Sequence, residues 1–255
     1  MKSCNIIAAL VTNLIAYPLM VLWTLAGGPL FLGALLICKV FLRWETDRTV
    51  RFFVWLYGRG WVIFMFPFTR FRREGFDTLD FSRPVILVTN HLSFFDSYFM
   101  GGLPASSNLV FVVRAWPFRM LWYTLIMRLA RYPDVESLDW EVTEALCMSI
   151  LKKGGTPLFF PEGHRSRNGR LQRFYSGAFK LATKAGVPVV PLCITGTDRM
   201  LPPGRFWLCP TQVRMRALPA VDPAAFPGPL GHRKMRRHIH ALMAATLESM
   251  NGNAS

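Results

Sequence analysis

Two stretches of the 255-residue chain set ionisable side chains immediately behind apolar runs. In the first, VTNHLSFFD, the run Pro84–Thr89 ends in Asn90-His91, and Asp96 follows five residues after the imidazole. On one regular helix that offset turns the two side chains apart, because a turn takes about 3.6 residues. The spacing works where His91 sits in a strand-to-helix turn and Asp96 in the first helical turn, so that the carboxylate folds back onto Nδ1. That fixes the ring tautomer and leaves Nε2 free as a general base. The plainer reading makes Asp96 a helix N-cap and His91 a turn residue. In the second stretch, LFFPEGHRSRNGRLQ, an apolar strand runs into Pro161-Glu162-Gly163, with Arg165, Arg167, Arg170 and Arg173 behind it. Gly163 permits close backbone approach to a ligand, and arginines beside a turn suit a phosphate or another anionic head group. The plainer reading here is a charged surface loop with a Glu162–Arg165 ion pair of little energetic weight.

Both stretches need strands that end side by side, since reactive groups in open α/β sheets collect beyond the carboxyl ends of strands. The rest of the chain supplies them. Strand signals fall at Val85–Thr89, Leu109–Val113, Pro157–Phe160, Pro188–Thr195 and Gln212–Ala217. Helical signals fall at 96–101, 118–131, 140–153, 176–185 and 233–250. This alternation predicts an α/β domain over residues 70–255, a mixed sheet flanked by helices with a basic helix at its C-terminal end. The segment FRREGFDTLD, Phe71–Asp80, reads as a polar junction before it.

Residues 1–69 are of another kind. No charged residue occurs from Ser3 to Cys38, a run too long for a single span of about 20 residues and for the apolar core of a signal peptide. Gly27-Gly28-Pro29 predicts a break, giving two apolar helices near 5–26 and 30–41 as a membrane hairpin. Lys2, Lys39 and Arg43 flank the run, which places both ends on the cytoplasmic side. Phe52–Phe68, with Trp55, Arg59 and Trp61, reads as an interfacial segment or a core-packed helix. The whole chain is 52% hydrophobic yet carries a formal charge of +15, and its mean hydropathy is +0.27. Greasy and basic together point to an anionic membrane surface. Nucleic acid is not expected as a partner, because the basic residues form no reading module. The five scattered cysteines contain no C-x-x-C, so neither a disulfide framework nor a zinc site is expected, and a reduced setting fits.

At these motifs the sequence resembles the glycerolipid acyltransferases of the lysophosphatidic acid acyltransferase type. NHLSFFD resembles their N-H-x-x-x-x-D box, FPEGHRS their F-P-E-G-x-R-S box, and GVPVVPLCI, Gly186–Ile194, their V-P-rich strand. The three stand in the family's order between about Arg70 and Ala220. The resemblance implies that His91 deprotonates an acceptor hydroxyl while Asp96 orients it, with no metal, no cofactor and no covalent enzyme intermediate. It implies an acyl thioester donor, on acyl carrier protein or coenzyme A, and a lysophosphatidate-like acceptor. It puts Asn90, Glu162, Gly163, Arg165 and Ser166 on the substrate side. It also implies an enzyme held at the cytoplasmic face of the inner membrane by the apolar helix pair. The family's remaining box ends in an arginine that helps hold the acceptor phosphate. Here that place reads Tyr132-Pro133-Asp134-Val135, so Arg114, Arg128 or Arg131 must substitute, or the acceptor lacks a glycerol phosphate, as an amino-acid lipid does. A serine lipid hydrolase is the nearest rival, because Ser93 and Ser97 lie near His91, but no G-x-S-x-G elbow exists. A non-catalytic membrane-binding protein is the other.

Overall fold

The computed structural model describes residues 5–202 and 204–252; Lys2 and Cys4 lie outside them. Its first element is α1 (Ile6–Val40), capped by the Asn5 side chain, which accepts from Ile7 N and Ala8 N. The break expected at Gly27–Pro29 is absent: the helix runs through both Pro18 and Pro29. Proline removes a backbone donor and crowds the preceding turn. An apolar medium would offset this, because there a freed backbone group finds no partner but the helix itself. The helical pair is therefore α1 with α2 (Thr46–Met65), and the turn lies at residues 41–45. Among the described residues α1 is the one helix long and apolar enough to cross a membrane. Its 35 residues extend about 52 Å at 1.5 Å each, well beyond the ~30 Å of a bilayer core.

A six-stranded sheet follows, in the order β1-β6-β5-β2-β4-β3. Its strands are β1 (Thr69–Glu74), β2 (Ile86–Thr89), β3 (Leu109–Val112), β4 (Thr156–Phe159), β5 (Val189–Thr195) and β6 (Thr211–Ala217). Only β5 and β6 pair antiparallel, so the sheet is mixed. The stretch expected to be a polar junction contains β1, an edge strand aligned with β6. Glu74 there accepts from Arg214 Nη2 at 3.0 Å and from Arg216 Nε at 2.7 Å. Connecting the strands are α3 (Asp96–Phe99), α4 (Leu121–Leu129), α5 (Trp140–Lys152), α6 (Gly177–Ala185) and α7 (Thr197–Met200), and α8 (Gly231–Gly252) follows β6.

The period-2 alternation of buried strands gives the sheet two apolar faces. Leu87, Leu158, Leu192 and Ile194 pack with Ala16 of α1 and with Trp61 and Met65 of α2. Ile86, Val88, Phe159 and Cys193 pack with Phe179 of α6 and with Met235, Ile239 and Met243 of α8. Thus α1 and α2 cover one face, α6 and α8 the other. Trp61 and Val50 make α2 a core helix, while Phe52, Leu56 and Ile63 on it, and Phe66 just beyond it, stay exposed. Cys38, Cys147 and Cys193 are free thiols. Cys209 is disulfide-bonded, against the expectation of no disulfide.

Candidate active site

Strand β2 runs between β5 and β4 and releases Asn90-His91 at its carboxyl end. Asn90 is buried and its carboxamide is spent on β5: Nδ2 donates to Ile194 O at 2.9 Å and Oδ1 accepts from Ile194 N at 2.8 Å. This side-chain rung extends the pairing of β2 with β5 by one residue, so the chain turns away at His91.

His91 Nδ1 lies 2.8 Å from Asp96 Oδ2. Asp96 is fully buried. The same oxygen accepts from Leu92 N at 2.6 Å and Ser93 N at 2.9 Å, and Oδ1 accepts from the Thr197 hydroxyl of α7. A carboxylate that accepts only, ringed by donors, obliges Nδ1 to be a donor as well. Nε2 is then the ring's lone-pair nitrogen, and it makes no hydrogen bond among the described residues. The ring lies against Phe160, centroids 4.2 Å apart. Ser93 and Ser97 donate instead to the carbonyls of Leu201 and Phe94. Neither serine bonds to His91, so the nucleophile–base pair of a serine hydrolase is not formed.

The second turn, after β4, clamps the first. Glu162 is buried; Oε1 accepts from His91 N at 2.7 Å and Oε2 from Gln172 N at 2.8 Å. Ser166 N donates to His91 O at 2.8 Å. Both backbone polar groups of His91 are thus held by the Glu-Gly-Arg turn. Burial pushes the Glu162 carboxyl above its ordinary range, against the pull of the two backbone donors. Gly163 has φ +71°, and a Cβ there would come within 2.8 Å of the Tyr175 ring, so both backbone and space call for glycine.

A cavity of about 1400 Å³ opens in front of His91. One part is apolar, roofed by Trp23, Gly27, Leu30 and Phe31 of α1 and walled by Tyr57, Tyr123 and Met127. The other part carries Arg114, Arg119, His164, Arg165 and Lys180. Arg165 is exposed and makes no hydrogen bond among the described residues. Arg114 bonds His164 through Nη1 and Glu136 Oε1 through Nη2, at 2.5 Å for the latter. Of the three arginines proposed to replace the missing one, only Arg114 lines this cavity; Arg128 and Arg131 line a separate hollow of about 480 Å³ with Lys39 and Lys153. Asp134 accepts from the backbone of Glu136 and Ser137.

Of the residues assigned from sequence to the substrate side, Gly163, Arg165 and Arg114 therefore border the cavity. Asn90, Glu162 and Ser166 do not: each is buried behind it with its polar atoms committed to backbone or to a neighbouring side chain. Sequence reasoning missed Thr197, 101 residues from its partner Asp96, as well as Phe160, Arg119 and Tyr175. A threonine in a four-residue helix has no local signature. Arg119 sits in an arginine-poor run, WPFRM, that offered no motif.

The Acyltransferase family profile matches residues 70–195. A chloroplastic 1-acyl-sn-glycerol-3-phosphate acyltransferase of Brassica napus is 35% identical over 167 residues, 62% of this chain and 47% of the relative. Its counterpart in Arabidopsis thaliana is 37% identical over 150 residues, 56% and 40% of the two chains. The chain spans about half the length of these curated relatives or less. The crystal structure of the 1-acyl-sn-glycerophosphate (LPA) acyltransferase PlsC from Thermotoga maritima superposes with a TM-score of 0.79 at 23% identity, covering 96% of this chain and 97% of that one. The latter likeness is one of fold. Residues 70–195, the segment that holds both turns of the site, match the acyltransferase family profile.

Proposed function

We propose that this protein is a membrane-bound O-acyltransferase that moves a fatty acyl group from an acyl thioester to the hydroxyl of a lysophosphatidate-like lipid. The observation that carries this reading is the 2.8 Å contact of His91 Nδ1 with a buried Asp96, on a ring that borders a cavity with one apolar and one cationic part. Nε2 takes the acceptor's hydroxyl proton as that oxygen attacks the thioester carbonyl. The tetrahedral adduct collapses, the C–S bond breaks, and the departing sulfur takes the proton from the imidazolium. Asp96 holds the ring in the required tautomer and stabilises its cation. The acyl chain and the lipid tail occupy the apolar part, and Arg165 and Arg114 meet the acceptor's anionic group as charge-assisted donors. Asn90, Glu162 and Ser166 act as positioning residues: they fix the backbone from which His91 projects.

The membrane contact is the exposed apolar side of α1 and α2. Asn13 of α1 donates through Nδ2 to Leu208 O at 2.8 Å and accepts from Leu208 N at 2.9 Å, and Ala9, Thr12 and Ala16 are buried beside it. A helix clamped onto the α/β domain through its N-terminal turns lies in one leaflet, in the plane of the membrane, on the side where the domain resides.

Release of free thiol from an acyl donor, with membranes supplying the acceptor, tests the reaction. His91→Ala is expected to lower the rate by about 10²–10⁴-fold, the usual worth of a positioned general base, with membrane association unchanged. Equal rates in variant and parent would remove the mechanism. The absence of a stoichiometric thiol burst without acceptor is also expected, since no acyl-enzyme forms.

A further inference from the structure

A cationic surface lies on the side of the sheet away from α1 and α2. From Gly163 to Ala185 the chain has no Asp or Glu, and it carries Arg165, Arg167, Arg170, Arg173, Lys180 and Lys184. From Gly231 to Leu247 there is again none, and the charged residues are Arg233, Lys234, Arg236 and Arg237. The fold joins the two segments. Arg236 Nη1 donates to Ser176 Oγ at 2.8 Å, and His240 Nε2 stands 3.0 Å from Gln172 O. Lys180, Arg233 and Arg236 all bear on His232, whose pKa is lowered first by burial and then by these charges. Two acids border the surface: Glu144 pairs with Lys184, and Asp198 stands beside Gly169.

Anionic lipid is the obvious partner for such a surface, but its place in the fold is wrong for that. α6 and α8 pack on the face of the sheet formed by Ile86, Val88 and Cys193, whereas the exposed apolar helices cover the opposite face. With α1 and α2 in the membrane, the cationic face looks into water. It is also continuous with the cavity, because Arg165 and Lys180 line the opening.

We propose that this face docks an acidic carrier protein, which delivers the acyl thioester into the cavity from the aqueous side while α1 receives the chain from the membrane side. The proposal rests on the acyl-transfer reading above and assigns its donor. Complementary charge of this kind steers encounter and sets salt dependence. A free coenzyme thioester, small and reaching the cavity directly, needs only the mouth residues and not α8.

The test compares palmitoyl-loaded acyl carrier protein with palmitoyl-coenzyme A as donors for wild type and for an Arg233→Glu, Lys234→Glu, Arg237→Glu variant, all three positions being exposed and none lining the cavity. The expected result is a KM for the carrier-bound donor raised about tenfold or more, a loss steeper in low salt. Turnover of palmitoyl-coenzyme A and binding to phosphatidylglycerol vesicles stay within about twofold, which also reports that the variant is folded; the Arg233→Gln, Arg237→Gln protein gives a smaller change in the same direction. Equal effects on both donors, loss of vesicle binding, or a wild type that turns over palmitoyl-coenzyme A but not the carrier-bound donor overturns the proposal. Direct binding of the loaded carrier protein, measured by calorimetry, separates this failure from that of the reaction itself. Binding that wild type shows and the variant lacks supports the surface even where neither donor turns over, and no binding by wild type rejects it.

Discussion

The hydrogen bonds around Asp96 decide how His91 behaves. One oxygen serves the imidazole and two backbone N–H groups, and the other serves Thr197. Losing a hydrogen bond to a charged group costs about 1.5–3 kcal/mol, and here the loss frees the carboxylate to rotate off Nδ1. Thr197→Val is therefore expected to lower kcat about tenfold or more, with the KM of donor and acceptor unchanged, and Thr197→Ser to restore it; a KM change without a kcat change would give Thr197 a substrate role instead. His91, Asp96 and the Glu-Gly-Arg turn were legible in the sequence because each directly follows an apolar run, where a strand end must fall. Thr197 was not, since what makes it matter is a partner 101 residues away. Asn90, Glu162 and Ser166 stood in the right motifs, but their direction was invisible: only the three-dimensional turn shows that they hold His91 from behind.

At the level of elements, local rules succeeded where burial alone selects the conformation. The strands β2 to β5 are short apolar runs bounded by Gly, Pro or Asn, β6 alternates buried Val213, Met215 and Ala217 with polar residues, and the structure has all five within a residue or two of the expected positions. Two elements escaped for a physical reason. Strand β1, Thr-Arg-Phe-Arg-Arg-Glu, is too charged to read as a strand, and its Glu74 finds its partners in the arginines of β6, about 140 positions later. Helix α1 defied the Gly-Gly-Pro rule, which is calibrated in water, where a freed backbone group finds another partner. The β1–β6 pair makes a prediction of its own. The hydrogen bond from Arg216, and then that from Arg214, hold the Glu74 carboxyl below its ordinary range. A depressed folded-state pKa means stability that is present above the unfolded value and lost as pH falls through the folded one. Thermal melts should thus show wild type losing its advantage over Glu74→Gln as pH drops below about 4.3, the ordinary Glu value, and the two converging in stronger acid. A constant gap at all pH values would mean the pair works by shape alone.

For the molecule as a whole, the sheet separates two environments. One face carries helices with exposed Leu, Ile, Val and Phe side chains; the other carries the cationic α8. The net charge of +15 suggested a membrane surface from composition, but composition has no faces, and the structure puts most of the clustered charge opposite the apolar helices. Attachment should accordingly be apolar in origin. Washing membranes with about 1 M salt, where the screening length is about 3 Å, is expected to leave the protein bound, and mild detergent to release it. Release by salt would make the basic residues the anchor. His91 borders a cavity lined both by α1 and by Lys180 of α6, and in the reaction proposed above that is where one imidazole would meet both lipid and thioester.

The Asn13–Leu208 clasp joins positions 195 residues apart. A ribosome adding about 5–20 residues per second exposes the first partner roughly 10–40 s before the second exists. Throughout that interval nascent α1 has no loop to grip, so under the membrane-bound reading proposed above the bilayer is its first binding partner and the domain assembles onto a helix already immersed. The roof of the reaction chamber is laid before its walls.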